Sequence, residues 1–355
     1  METQTLEFES PHFLHSLFAH DQKLLETLEA SFNVSITTRD GWLKIVGMPD
    51  AIIQVEKVFE QLESARRKGG DITPQTFSLA VENVLQGLGG ETLDAMVDIR
   101  LLGSATRKPV RPRTRTQFAY LRALREYHVV FGIGPAGTGK TFLAMAHALQ
   151  QLRDREIDRI ILTRPAVEAG EALGFLPGAL EEKVLPYLRP LYDALYEMLE
   201  PGESQRFVER NLIEIAPLAY MRGRTLNRAC VILDEAQNTS REQMLMFLTR
   251  LGSESSCIIT GDPSQIDLRP AGKSGLLEAM RLLREVDGIQ FIEFEKRDVV
   301  RHPVVQRIIE AYETGRELDD ANRATERRSE PRRFRQKAQL PDTPATAENT
   351  FRPGD

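Results

Sequence analysis

The sequence predicts an α/β protein: a parallel sheet with helices on both faces, preceded by a small α+β module. Three observations carry this. From His128 onward, short apolar runs alternate with longer helical stretches, as expected for strands buried on both faces and joined by helical crossovers. The first run leads directly into a glycine-rich segment that opens a helix. Residues 5–67 form a separate, denser pattern of short elements, and 355 residues suit two domains better than one.

In the first module, residues 1–70, Thr5 to Glu9 alternates like a strand, and His12–Ala19 and Asp21–Phe32 read as short helices. Asn33–Thr38 and Trp42–Gly47 are strands joined across Arg39-Asp40-Gly41, with a glycine where positive φ is easy. Pro49–Arg67 is an amphipathic helix carrying Ile52, Val55, Phe59 and Leu62. The order β-α-α-β-β-α resembles a KH-type module, which grips nucleic-acid backbone with a GXXG loop between its first two helices. Here the loop reads Ala19-His20-Asp21-Gln22. The glycines are missing and an acid is added, so the clamp is degenerate and the module is expected to mediate contact rather than bind RNA itself.

Residues 71–106 form a helical connector, with a helix opened by Thr73-Pro74 and running to about Leu88 before Gly89-Gly90. Residues 107–127 read as an extended basic linker because of Pro109 and Pro112. Residues 128–318 are the main core. Its strands are His128–Ile133, Arg159–Arg164, Leu212–Ala216, Cys230–Leu233, Cys257–Thr260 and Gln290–Phe294. Its helices are Lys140–Leu152, Pro177–Glu200, Ser240–Leu251 and Lys273–Glu285. Residues 319–355, rich in Arg and Pro, read as a disordered basic tail.

Net charge is −6, but its distribution is uneven. Residues 1–106 hold 8 basic and 16 acidic residues, whereas residues 107–125 hold seven basic residues and no acid. Local patches of this kind are how an acidic protein meets a polyanion, which makes Arg111, Arg113 and Arg115 candidate RNA contacts. The longest charge-free apolar stretch lies around Val129–Ile133, too short to span a bilayer. The first ten residues carry Glu2, Glu7 and Glu9 and no apolar signal region, so a cytoplasmic protein is expected. The two cysteines, Cys230 and Cys257, have no metal-ligand spacing.

Gly134-Pro135-Ala136-Gly137-Thr138-Gly139-Lys140-Thr141 matches G-x-x-x-x-G-K-[ST] between a predicted strand and a predicted helix. Glycines let backbone N–H groups turn toward phosphates, and the helix N-terminus adds a positive field. Lys140 is expected to reach the β/γ oxygens and Thr141 to ligate Mg²⁺; Phe142 completes the nucleotide-binding set. The strand Val231-Ile232-Leu233 ends in Asp234-Glu235. Asp234 suits the Mg²⁺, and Glu235 suits orienting and deprotonating an attacking water. Gln265, in the segment Thr260–Gln265 after the next strand, can bond both a γ-phosphate and that water.

Together these residues resemble the PhoH family, single-core P-loop ATPases of RecA-like fold related to superfamily 1 helicases. Further matching segments are Thr163–Glu171, Leu173–Gly178, Met221–Thr225, Asp234–Asn238 and Asp298–Pro303, so the resemblance covers roughly residues 5–316. It implies ATP binding and hydrolysis linked to RNA or ribosomal RNA metabolism. More weakly, it implies a partnership with an rRNA-maturation endoribonuclease. Carried over by position, Gln117 reads the adenine edge, Thr163 and Arg164 contact single-stranded nucleic acid, and Arg301 senses the γ-phosphate. Helicases of this kind use two cores, and too few residues follow Asp267 for a second one. Motor action would then require subunits to assemble, for which a head-to-tail ring is expected. Two other classes remain open: a P-loop kinase acting on a small acceptor, and a nucleotide-gated scaffold that recruits a nuclease.

Overall fold

The computed structural model describes residues 1–87, 90–102, 108–165, 180–200, 202–268 and 273–300, together with residues 304, 305 and 308. Arg301, most of segment 165–179 and the tail 319–355 lie outside the described residues.

The N-terminal module follows the expected order: β1 (Glu2–Glu7), α1 (Pro11–Leu17), α2 (Gln22–Phe32), β2 (Ser35–Arg39), β3 (Trp42–Gly47) and α3 (Pro49–Arg67). Its antiparallel sheet has the order β1-β3-β2. Asp40 (φ 48°) and Gly41 (φ 88°) both occupy the left-handed region, and Arg39 pairs with Trp42 across them. Two positive φ values in a two-residue loop match the twist of the flanking strands. Strand β1 starts earlier than its alternation suggests, because Glu2 through Glu7 find partners along the whole of β3, Gly47 through Trp42. The apolar stripe of α3 lies in one core with Leu43 and Ile45 of β3.

In the connector, α4 (Pro74–Leu85) is capped by the Thr73 hydroxyl, which accepts from Thr76 N at 3.2 Å. A further helix, α5 (Glu91–Asp98), follows it. The expected linker 107–127 needs correction, because Arg115–Glu126 is a helix, α6, capped by Thr114. Gln117, Tyr120, Leu121 and Leu124 recur at i, i+3, i+4 and i+7 and are buried. That is a helical face, hidden in the sequence by the run of basic charge around it.

The remaining elements are β4 (Val129–Ile133), α7 (Lys140–Arg153), β5 (Arg159–Arg164), α8 (Leu180–Met198), α9 (Glu203–Glu209), β6 (Ile213–Pro217), β7 (Ala229–Leu233), α10 (Arg241–Leu248), β8 (Ser256–Gly261), α11 (Gly275–Leu282) and β9 (Ile289–Glu293). The six strands are parallel in the order β6-β5-β7-β8-β4-β9. Alternate residues face opposite sides. Val130, Ile160, Ile232 and Ile258 join one core with α6, α7 and α8, while Phe131, Ile161, Val231 and Ile259 join another with α10 and α11. Burial on both faces explains the continuous apolar strands. Among the described residues no helix is long and apolar enough to cross a membrane.

Candidate functional site

The site forms at the carboxyl ends of β4, β5, β7 and β8, where open α/β sheets bind ligands. After β4 the chain turns at Gly134, whose N–H donates to Gly261 O at 3.1 Å. Gly134 has φ 140°, and a Cβ there would lie 2.3 Å from Phe294 O, so only glycine fits. The loop ends at Gly139 (φ 80°), immediately before Lys140, the first residue of α7. Thr138 is fully buried and its hydroxyl donates to Pro135 O at 3.0 Å. Val300 N–H closes the other side on Gly137 O at 2.9 Å.

Lys140 bends back over this loop. Its ammonium donates to Gly134 O and Pro135 O at 2.7 Å each. Burial lowers its pKa, while the nearby carboxylates of Asp262, Asp234 and Glu235 act in the opposite direction.

Strand β8 lies between β4 and β7, which sets three oxygen-bearing side chains together. Asp234 Oδ1 accepts from Thr141 Oγ1 at 2.6 Å and from Thr260 Oγ1 at 2.7 Å. Its Oδ2 accepts from Arg164 Nε at 2.8 Å and also pairs with Arg164 Nη2. Asp234 is buried, so each lone pair needs a partner. A carboxylate and hydroxyls are hard oxygen donors of the kind Mg²⁺ takes together with phosphate oxygens and water, so these residues fit that ion.

Glu235 sits in the left-handed region (φ 55°, ψ 38°) as the chain leaves β7. Strain of this kind concentrates at functional sites. Its Oε2 accepts from Gln237 Nε2 at 2.6 Å, and Gln237 Oε1 accepts from Asp262 N–H at 3.0 Å. Gln237 is 1% exposed and ties the Glu235 carboxylate to the end of β8. Neither Gln237 nor Thr260 is assigned a role from the sequence. The signal for Thr260 is its place at a strand end; for Gln237 it is a buried amide three residues after Asp234.

The matching family model is "PhoH-like protein", over residues 109–313. The chain belongs to the PhoH-like family. It is 49% identical to a PhoH-like protein of Bacillus subtilis (strain 168) over 84% of this chain and 93% of that one. It is 45% identical to one from Mycobacterium tuberculosis (strain ATCC 25618 / H37Rv) over 90% of each. Among solved structures, the UvsW helicase from bacteriophage T4 overlays with a TM-score of 0.35 at 9% identity, covering 57% of this chain and 67% of that one. Its own six-stranded parallel sheet, with the phosphate loop leading into α7, gives this PhoH-like chain the P-loop nucleotide-binding fold.

The other expected site residues lie as follows. Gln117 is buried on α6, donating to Thr138 O at 2.9 Å and accepting from Arg113 N–H at 2.7 Å. Gln265 is exposed and donates to Asp262 Oδ2 at 2.7 Å. Thr163 and Arg164 do not present themselves to nucleic acid as expected. Thr163 is fully buried, and the Arg164 guanidinium is turned onto Asp234, with Glu235 Oε1 3.8 Å away. Two of the three basic candidates also have internal partners. Arg111 donates to Gly69 O at 2.5 Å, and Arg115 donates to Gln86 Oε1 at 2.8 Å and to Asn83 Oδ1. Arg113 is exposed. Arg301 lies outside the described residues.

Proposed function

We propose that this PhoH-like protein is a cytoplasmic, Mg²⁺-dependent ATPase that acts in RNA metabolism. The observation that carries the reading is the Thr141–Asp234–Thr260 oxygen cluster directly beside the phosphate loop. Thr141 and Asp234 would hold Mg²⁺, which when bound would supply positive charge to neutralise the phosphates. The turned backbone from Gly134 to Gly139 cradles the phosphates, with Phe142 behind them. Lys140 has an ammonium already desolvated within the loop, so it trades loop carbonyls for phosphate oxygens. Gln117 braces the loop through Thr138 and reads the base. Glu235 orients a water for attack on the γ-phosphorus, takes its proton and leaves ADP and phosphate as products. Gln265, held on Asp262 after β8, would report the γ-phosphate.

RNA enters the reading through the family resemblance and through Arg113, the basic candidate whose guanidinium faces solvent. An rRNA-maturation endoribonuclease as partner, and assembly into a ring, belong to the same proposal. The test is steady-state phosphate release from Mg·ATP with and without RNA. Glu235→Gln should still bind Mg·ATP but release phosphate about 10²-fold more slowly. Wild-type turnover in that variant would remove Glu235 from the chemistry. A phosphorylated small acceptor in place of free phosphate would establish a kinase instead.

A further inference from the structure

We infer that Arg164 is a displaceable counter-cation for Asp234: a metal ion takes that carboxylate only as the guanidinium leaves it, and the departure loosens helix α8. This rests on the Mg²⁺-dependent ATP reading above. An ionised carboxylate has about four lone-pair positions. On Asp234 all of them are taken, Oδ1 by the hydroxyls of Thr141 and Thr260 and Oδ2 by Nε and Nη2 of Arg164. Asp234 is buried, so water does little to screen a second cation placed beside the guanidinium. A divalent ion and Arg164 therefore compete for one carboxylate. The two hydroxyls are neutral, and Thr141 belongs to the metal's own ligand set. The guanidinium is the partner that must yield.

Arg164 holds more than Asp234. Its Nη2 lies 3.8 Å from Glu235 Oε1, and its Nη1 donates to Tyr187 O at 3.2 Å. One guanidinium thus ties the metal ligand, the proposed water-orienting base and α8 together, which the flat fork of an arginine permits and the point charge of a lysine does not. Helix α8 contains Pro186 and Pro190, and a proline inside a helix removes a backbone hydrogen bond. The turn that presents Tyr187 therefore leans on contacts from outside the helix. These include the burial of Leu188 and Leu191 in the core and the bond from Arg164. Once Asp234 is given to a metal ion, Arg164 loses its anchor at the end of β7, and α8 loses a tie to the sheet.

Mn²⁺, which stands in for Mg²⁺ and is read by electron paramagnetic resonance, tests the competition on the full-length protein without nucleotide. Arg164→Gln removes the competing charge and should bind Mn²⁺ with about tenfold or higher affinity than the wild type. Arg164→Lys keeps the charge and should bind it as weakly as the wild type. Equal or weaker affinity in Arg164→Gln would overturn the inference, because a guanidinium that merely steadies Asp234 gives that result. Lysine binding as tightly as glutamine would overturn it too. Hydrogen exchange on the wild type reads the second half and needs no variant to fold. ATP in EDTA should slow exchange in residues 134–141 alone. Mg·ATP should slow it there and speed it in 187–195. Unchanged exchange in 187–195 under Mg·ATP would overturn the inference and leave the ATP reading standing, and so would faster exchange there with metal-free ATP. Protection of 134–141 by neither form would end the ATP reading itself.

Discussion

His147 of α7 is a residue whose burial decides its chemistry. It is 4% exposed, its Nε2 has no partner, and a hydrogen bond to the Leu124 backbone holds its other nitrogen. Burial, helped by the charge of Arg125, lowers its pKa to about 4 against that hydrogen bond. The folded pKa lies below the unfolded value of about 6.5, so on acidification the unfolded chain takes the proton first. Above about pH 6.5 the residue contributes no pH dependence. Between there and about pH 4 it should cost about 1.4 kcal/mol of stability per pH unit, about 3 kcal/mol in all. His147→Asn keeps a donor for Leu124 O and cannot titrate, so its stability should fall less than the wild type's between pH 7 and 5 in urea titrations. Parallel losses in both proteins would clear His147. Glu235 makes the complementary point. Its candidacy as the water-orienting base is legible in two adjacent letters, but its left-handed backbone and its link through Gln237 to Asp262 are not.

At the scale of elements, the contact between β4 and α6 is the sensitive one. Gly132 faces Tyr120, and an added Cβ would lie 3.0 Å from two of its ring carbons and 3.1 Å from its oxygen. Tyr120 is fully buried and its ring meets Phe294 edge-on, so it has little room to yield. Gly132→Ala should destabilise the fold by about 1–3 kcal/mol through overpacking. Because α6 carries Gln117, the same change should also weaken nucleotide binding. Adding Tyr120→Leu should recover part of the stability, which a melting series of the two single variants and the double variant would show. Strictly additive losses would mean that the two residues are not coupled. This helix is also the least legible element in the sequence. Seven basic residues without an acid, together with Pro109 and Pro112, favour a linker, whereas the helical spacing lies in Tyr120, Leu121 and Leu124 and in the buried amide of Gln117.

At the scale of the whole molecule, the proposed hydrolysis needs positive charge opposite Asp234 and Glu235. Lys140 lies within the phosphate loop, whereas the Arg164 guanidinium is paired with Asp234 itself and does not oppose it. The sequence adds Arg301, which we propose acts across a subunit boundary in a head-to-tail ring. Mixing inactive Arg301→Ala with inactive Glu235→Gln should then restore part of the phosphate release, since some interfaces regain an intact pair. No recovery, with a wild-type rate per subunit that is independent of concentration, would place Arg301 in its own subunit's site.

What the sequence determined by itself was local. Strand and helix periodicity, the Asp40-Gly41 turn, the phosphate loop and the Asp234-Glu235 pair are each written within a dozen or so residues, where backbone geometry and side-chain spacing are dictated directly. The tertiary structure alone decided which distant groups meet. Thr260 joins Thr141 on Asp234 because β8 lies between β4 and β7. Arg164 turns inward because β5 ends beside that carboxylate. Arg111 and Arg115 are drawn to carbonyl groups of the N-terminal half, because a buried or half-buried guanidinium needs acceptors wherever the fold supplies them. The cavity between residues 69–76, 93–97 and 137–143 exists only once those segments stand face to face, and no periodicity within any one of them encodes it.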